Sequence, residues 1–202
     1  MTHRFNRYSV VSLAAMLFLA TGSLLATVDD VSGDVAFVEA LPSVMPTASV
    51  NADFIFAFRE KRDVGLPASL LVDAVPGDVV DPTHPLAIPT VVLNQGTCVS
   101  SYYVIYEPGI AGSTTGTIRF TERVLGVELT AQQLDATNFL GDPATVYPLS
   151  PDCANFSNGD CAPEVAEVDR VIVGEHEVGF EFHATQPGDR IRIITAGDLT
   201  GC

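Results

Sequence analysis

The residues best suited to chemistry lie in one short stretch, EHEVGFEFHA at 175–184. In a β-strand, alternate side chains point to opposite faces of the sheet. One face of this strand would therefore carry three carboxylates and an imidazole, those of Glu175, Glu177, Glu181 and His183. Carboxylates and a histidine at this spacing are ligands that a divalent cation accepts. A metal site and a catalytic surface are thus two hypotheses for this face.

A third interpretation is that the acids form the solvated side of a sheet. The two phenylalanines of the stretch lie on the opposite face, which is typical of a half-buried strand. Arg190 and Arg192 follow after a Pro-Gly pair, also spaced by two. We expect them to face Glu181 and His183 across a hairpin as a ladder of opposite charges. This solvated face is favoured over a metal or a catalytic site.

No sequence pattern for nucleophilic catalysis is present. The chain has no GxSxG, no cysteine beside a histidine and no serine with suitable partners. His84 lies between prolines, where a surface position is favoured over a catalytic base. The 25 acidic residues give many random pairs, so no single pair indicates glycoside hydrolysis. We therefore predict no catalytic residue, no bound cofactor and no enzyme activity.

A second oxygen-rich stretch is SPDCANFSNGDCAPE at 150–164. Oxygen-rich loops hold calcium, and a disulfide would preorganise this one. The spaced aspartates of a calcium-binding loop are missing, so an ordinary polar turn is favoured. Calcium is the one metal that the sequence leaves open, with candidate ligands Asp152, Asn155, Asn158 and Asp160.

The charge of the chain excludes one class of partner. It carries 25 acidic and 10 basic residues, for a formal net charge of −15 at pH 7. No basic cluster interrupts this excess of acid. Such a surface repels phosphate backbones, so we predict that nucleic acid is not a partner.

The first 26 residues resemble a secretory signal. A basic start containing Arg4 and Arg7 precedes an apolar run that ends in small residues at Ala26. The run is short for a membrane span, and no later segment approaches that length. We predict a signal peptide at 1–26, secretion to the extracellular or periplasmic space, and no membrane span after cleavage. The alternative is that the segment stays uncleaved as a membrane anchor.

Four cysteines follow this segment. In an exported protein, an even count indicates disulfides, and four cysteines allow three pairings. Cys153 and Cys161 flank a polar loop, so we expect them to pair with each other and Cys98 to pair with Cys202. A zinc site is disfavoured because no CxxC motif or nearby histidine pair is present.

Short alternating segments separated by turn residues predict the fold. About nine of them have strand character, and a capping box of Thr130 and Gln133 predicts one helix at about 130–138. Such a set buries a core as an antiparallel all-β sandwich of two sheets, either jelly-roll-like or immunoglobulin-like. We expect a leader, linker or first edge strand at 27–50 and a single sandwich domain at 51–202.

The tyrosines are the candidates for an aromatic sugar-binding surface, since the chain has no tryptophan. Tyr102 and Tyr103 face opposite sides of one strand, so only one of them can be presented to solvent. Core packing or a hydrogen-bonded edge position is the favoured role for this set, which comprises Tyr102, Tyr103, Tyr106 and Tyr147.

Three segments in sequence carry a family resemblance: GTCVSSYYVIYEPG, GTIRFTERVLGVELTAQQLDATNFLG and DRVIVGEHEVGFEFHATQPGDRIRIIT. Over roughly 54–195, the chain resembles a secreted bacterial domain often carried by proteins with a PEP-CTERM sorting tail, which exosortase systems recognise. The resemblance implies a β-sandwich and no catalytic residue. The chain ends at Thr200-Gly201-Cys202 without a Pro-Glu-Pro motif, so we expect free secretion.

The sequence as a whole predicts an acidic, disulfide-bonded, secreted protein. We expect a non-catalytic structural or interaction role outside the cell or at its envelope. The alternative is a carbohydrate-binding module that acts on extracellular polysaccharide. Polysaccharide or envelope proteins are accordingly the expected partners.

Overall fold

The described residues of the computed structural model form two packed β-sheets and a small two-stranded ribbon. One α-helix and a 3-10 turn are the helical elements of this part of the chain. The all-β sandwich that the sequence predicts is therefore confirmed, and a helix of six residues, Ala131–Ala136, lies within the predicted range 130–138. The residues described are 27–39, 54–81, 91–106, 108, 110–143, 145, 169–184 and 189–202.

Each of the two large sheets has five strands. Sheet A contains, from edge to edge, β1 (Val28–Gly33), β8 (Gly112–Phe120), β11 (Glu177–Ala184), β10 (Arg170–Val173) and β5 (Val79–Val80). Sheet B contains β2 (Val35–Val38), β3 (Ile55–Gly65), β7 (Cys98–Tyr106), β12 (Asp189–Ala196) and β9 (Val124–Glu128). The ribbon pairs β4 (Leu70–Val72) with β6 (Val91–Leu93), and α1 (Ala131–Ala136) and the turn Asn138–Leu140 follow β9.

The segment 27–50 contributes an edge strand to each sheet. β1 pairs with β8 in an antiparallel manner, and β2 pairs with β3 in a parallel manner. Gly33 joins the two strands with a φ of +73°, and a Cβ there would lie 2.4 Å from the Thr115 carbonyl oxygen. Only glycine fits so close an approach with positive φ. The sandwich therefore begins before residue 51, and 27–50 contains more than a leader or linker.

The two large sheets differ in how many of their faces are buried. Strand β8 of sheet A alternates between buried and exposed side chains, whereas all nine residues of β7 in sheet B are buried. On β3, Ile55 and Ala57 face the core between the sheets, while Phe58 packs on the opposite side with Leu134 of α1. The helical segment thus covers the outer face of sheet B, and the outer face of sheet A stays in contact with solvent.

Asp73 and Thr130 together cap the N-terminus of α1. The Thr130 hydroxyl accepts a hydrogen bond from the Gln133 amide at 3.3 Å, as a capping residue does. Asp73 Oδ2 accepts from the amides of Leu129 and Thr130 at 2.7 and 2.8 Å. The predicted N-terminus of the helix is confirmed, and a carboxylate distant in sequence completes the cap.

A disulfide between Cys98 and Cys202 fixes the C-terminal tail to the start of β7, as the sequence predicts. Asp63 supports the same tail, because its Oδ1 accepts a hydrogen bond from the Asp198 amide at 2.7 Å. Asp63 has a φ of 49°, a left-handed conformation that aspartate tolerates better than most residues. The predicted signal peptide at 1–26 and the predicted pairing of Cys153 with Cys161 lie outside the described residues.

We expect replacement of both Cys98 and Cys202 by serine to lower the free energy of unfolding by about 2–5 kcal/mol. The bond joins positions 104 residues apart, and its loss enlarges the conformational freedom of the unfolded chain. Urea unfolding without reductant measures the change and leaves Cys153 and Cys161 unaltered. An unchanged unfolding midpoint would contradict this role of the bond.

Candidate functional site

The acidic stretch forms β11, a central strand of sheet A. Val178, Phe180 and Phe182 are buried in the core between the sheets. Glu177 and Glu181 are exposed on the outer face. The division between acidic and apolar faces that alternation predicts is therefore confirmed.

The predicted charge ladder across a hairpin is wrong. Arg190 and Arg192 lie on β12, which belongs to sheet B, whereas Glu181 and His183 lie on β11 in sheet A. The chain passes from one sheet to the other after β11 instead of turning back beside it. Both arginines are buried, at 4% and 0% exposure, so neither meets the acids of the outer face.

Two other arginines pair with the acids. Arg119 of β8 is opposite Glu177 in register and donates to its Oε2 at 2.9 Å. Arg123 Nε donates to Glu175 Oε2 at 2.8 Å. All four side chains are about half exposed or more, so these ion pairs contribute little to stability. These two ion pairs balance the charges of Glu175 and Glu177 without a metal ion.

His183 lies between two carboxylates but at longer range. Its Nδ1 is 3.7 Å from Asp169 Oδ1, and its Nε2 is 3.7 Å from Glu181 Oε1. Asp169 Oδ1 accepts instead from the backbone amide of His183, at 2.6 Å. Within the described ranges, no three His, Cys, Asp or Glu side chains are placed to hold a metal ion. The main role of the Asp169 contact is to tie the start of β10 to β11.

A groove of about 410 Å³ opens on the outer face of sheet A, next to these acids. Gly179 forms its floor, since it lies in register between Thr117 of β8 and Ile172 of β10. Ile172 is 42% exposed, which places an aliphatic side chain beside the glycine. The side chains that border the groove on either side are Ser32, Thr115, Arg170 and Glu181.

A second group of charged residues lies on the outer face of sheet B, beneath α1. Arg192 is fully buried, and its Nε and Nη2 donate to the two carboxylate oxygens of Glu60 at 2.7 and 2.9 Å. Its Nη1 donates to the carbonyl oxygen of Leu134 at 2.9 Å and to the Thr137 hydroxyl. The last carbonyls of a helix lack partners within the helix, and here the sheet supplies a donor.

Two further side chains of sheet B bind the 3-10 turn in the same way. Lys61 Nζ donates to the Phe139 carbonyl oxygen at 2.6 Å, and the Ser101 hydroxyl donates to that of Leu140 at 2.7 Å. The polar groups of this face therefore hold the helical segment against the sheet. Their arrangement supports the fold.

Glu128 is the most perturbed acid of this region. It is 0% exposed, lies opposite Arg192 in register, and neither carboxylate oxygen has a hydrogen-bond partner among the described residues. Burial, and to a lesser extent the Asp73 carboxylate, raise its pKa to about 9, against the opposing effect of the Arg192 guanidinium. Burial also raises the pKa of Asp73, against the hydrogen bonds that it accepts from Leu129 and Thr130. Glu128 is therefore neutral at pH 7.

The comparisons with known proteins give no match. A scan against models of protein families, a search of curated proteins and a search of solved structures each find nothing similar to this chain. Among the described residues, no helix is long and apolar enough to cross a membrane.

The remaining predicted site residues divide into two groups. Tyr102, Tyr103 and Tyr106 are buried at 1–4% exposure, so the core packing favoured for them is confirmed and they offer no sugar-binding surface. The others lie outside the described residues: His84, Tyr147, the cysteines 153 and 161, and the calcium candidates Asp152, Asn155, Asn158 and Asp160.

Sequence reasoning did not identify the residues beneath α1 or the groove. Glu60 and Glu128 sit in alternating strands, where an acid is normally expected in water. One available signal was the segment RIRII, which places Arg192 in a run that is otherwise strongly apolar. Nothing in the sequence distinguished Gly179 from a glycine that only weakens a strand.

We expect Arg192→Met alone to lower the free energy of unfolding by about 3–5 kcal/mol, because it removes the guanidinium that pairs with the buried Glu60 carboxylate. The double variant Arg192→Met with Glu60→Leu removes both charges and should be clearly more stable than Arg192→Met. Urea unfolding of the single and double variants measures the coupling. A double variant less stable than Arg192→Met would contradict a mutually compensating pair.

We expect the free energy of unfolding to fall as the pH rises from about 6 to 9, by at most about 1.4 kcal/mol per pH unit. The folded protein holds a proton on Glu128 up to a pKa of about 9, whereas the unfolded chain releases it near the ordinary value of 4.5. The stability that this proton contributes is fully present below pH 4.5. It decreases as the pH rises above 4.5 and is lost once the pH exceeds about 9.

Glu128→Gln is the matched control, because it keeps the shape and removes the titration. Urea unfolding at several pH values should show a much smaller slope for the variant and greater stability than the native chain at pH 9. Equal slopes for the two proteins would show that Glu128 titrates normally.

Proposed function

We propose that this chain is an exported, non-catalytic protein with a structural or interaction role, and that the outer face of sheet A is its interaction surface. The observation that carries the proposal is the groove on that face. In this groove, hydroxyl, charged and aliphatic side chains lie together in contact with solvent. The outer face of sheet B, in contrast, is covered by the helical segment.

The buried charges support the absence of catalysis. Catalytic groups usually combine a shifted pKa with access to a cleft. Glu128 has a strongly raised pKa but is 0% exposed, and the Arg192 guanidinium is hydrogen-bonded on all three nitrogens. Glu128 thus meets the first condition without the second, which is typical of structural charge networks.

Export is supported by the signal-like segment at 1–26 together with the Cys98–Cys202 bond. Disulfides persist in oxidising compartments such as the periplasm and the extracellular space. The resemblance to domains of PEP-CTERM proteins also favours a location at the envelope or outside the cell. We therefore propose extracellular or envelope material as the partner.

A carbohydrate-binding module for extracellular polysaccharide is the second candidate function. The lining of the groove favours it, since Ser32, Thr115 and Thr117 present hydroxyls beside Arg170 and Glu181. Sites for small ligands combine an apolar surface with a few well-placed polar groups. Here Ile172 supplies the apolar part.

The test is sedimentation of the purified protein with insoluble cellulose, chitin and peptidoglycan, with measurement of released reducing ends. We expect retention on at least one matrix, no release of reducing ends, and loss of retention in Glu181→Lys, which alters the rim of the groove. Asp135→Lys is the matched control, because it makes the same change of charge at an exposed position of α1.

Three outcomes would contradict the proposal or its second candidate. Release of reducing ends by the native protein would show that the protein is an enzyme. Equal retention of Glu181→Lys and Asp135→Lys would show that the outer face of sheet A is not the interaction surface. Absence of retention on every matrix would exclude the carbohydrate-binding candidate.

A further inference from the structure

We infer that the groove on sheet A is a binding site for a neutral polysaccharide, with one sugar ring seated over Gly179. The inference rests on the proposed function, because it names the ligand class for the same surface. Three properties of the groove lead to it: its shape, its polar lining and its charge.

The shape follows from a missing side chain at the centre of a pleated sheet. A Cβ built on Gly179 would meet Thr117 Oγ1 at 3.5 Å and the Gly116 carbonyl oxygen at 3.9 Å, which are ordinary contacts. The position is therefore not glycine for lack of space, and the backbone does not require positive φ there. A glycine that the fold does not demand lets a ligand approach the backbone.

The apolar part of the site is Ile172, directly beside this floor. It is paired in register with Gly179 and is 42% exposed, on the same outer face. The carbon-bound hydrogens of a sugar ring form an apolar surface that packs against such a side chain. Removal of both surfaces from water favours binding in proportion to the apolar area covered.

The polar lining suits the hydroxyls of a sugar, which donate and accept at once. Thr117 of β8 is opposite Gly179, and Ser32 of β1 is opposite Thr117. The three residues therefore form one row across the sheet. The hydroxyls of Thr117 and Ser32 are themselves both donors and acceptors. In the adjacent row, Arg170 and Glu181 are opposite each other, which places a donor beside an acceptor along one edge of the groove.

The charge of the site selects a neutral ligand. The lining contains one guanidinium and one carboxylate, from Arg170 and Glu181, so it is neutral in sum. The whole chain has a formal net charge of −15, and its field repels polyanions as they approach. A volume of about 410 Å³ lies within the range of small-ligand sites.

The experiment compares two glycine-to-glutamine variants by isothermal titration calorimetry. The probes are the neutral hexasaccharides of cellulose, xylan, chitin and starch, and an oligogalacturonate as the anionic counterpart. Gly179→Gln fills the groove with a side chain that the fold accommodates. Gly65→Gln is the matched control, because a Cβ at Gly65 of sheet B meets nothing within 4 Å. Thermal unfolding of both variants verifies that they fold.

We expect at least one neutral hexasaccharide to bind the native protein and Gly65→Gln equally. Gly179→Gln should weaken this binding by at least about tenfold, since the added side chain occupies the position of the ring. Ile172→Ser should weaken it to a lesser extent, through loss of the apolar contact. The oligogalacturonate should bind more weakly than the neutral probe.

Binding of the oligogalacturonate in preference to every neutral probe would overturn the inference, as would binding that Gly179→Gln leaves unchanged. Absence of binding by all neutral probes would overturn it as well. The proposed function fails separately, when Glu181→Lys and Asp135→Lys are retained equally on insoluble matrices. If Glu181→Lys abolishes retention on a matrix but Gly179→Gln leaves hexasaccharide binding unchanged, the outer face of sheet A is still supported as the interaction surface. The position of the sugar ring over Gly179 is then excluded.

Discussion

The burial of Arg192 sets a condition that the rest of sheet B has to meet. A guanidinium removed from water is strongly unfavourable unless it is paired and fully hydrogen-bonded. Glu60 on β3 supplies the opposite charge, and Leu134 and Thr137 of the helical segment supply further acceptors. Because these partners come from separate elements, the charge is satisfied only when strand, strand and helix are assembled together. The outer face of sheet B is closed as a result, and sheet A keeps the solvent-exposed face.

The strands themselves were predictable from the sequence, but the sheet to which each belongs was not. Alternation in EVGFEFHA and DRIRIIT depends on the local geometry of a strand, and both segments form strands. A Pro-Gly pair between them is typical of a hairpin, yet the two strands lie in opposite sheets. The choice depends on packing between distant segments, since β12 fits between β7 and β9. The pairing of Cys98 with Cys202 was predicted correctly.

The candidate site was harder to predict because each of its parts depends on neighbours from elsewhere in the chain. Glu128 has a raised pKa because of burial and of the Asp73 carboxylate, which belongs to another segment. The groove depends on Gly179 being flanked by Thr117 and Ile172, which come from separate strands. Alternation correctly assigned the acids of β11 to solvent. Alternation did not indicate that Gly179 would form the floor of a solvent-exposed groove.

The position of β12 has a consequence for the order in which the chain can fold. This strand is nearly the last segment in sequence, yet it lies at the interior of sheet B between β7 and β9. Neither neighbour can complete its hydrogen bonds until the C-terminal residues are present, so a growing chain cannot finish this sheet. Folding of that kind, dominated by contacts between distant residues, is slow. Sheet B is therefore closed only after residues 189–196 have joined both β7 and β9.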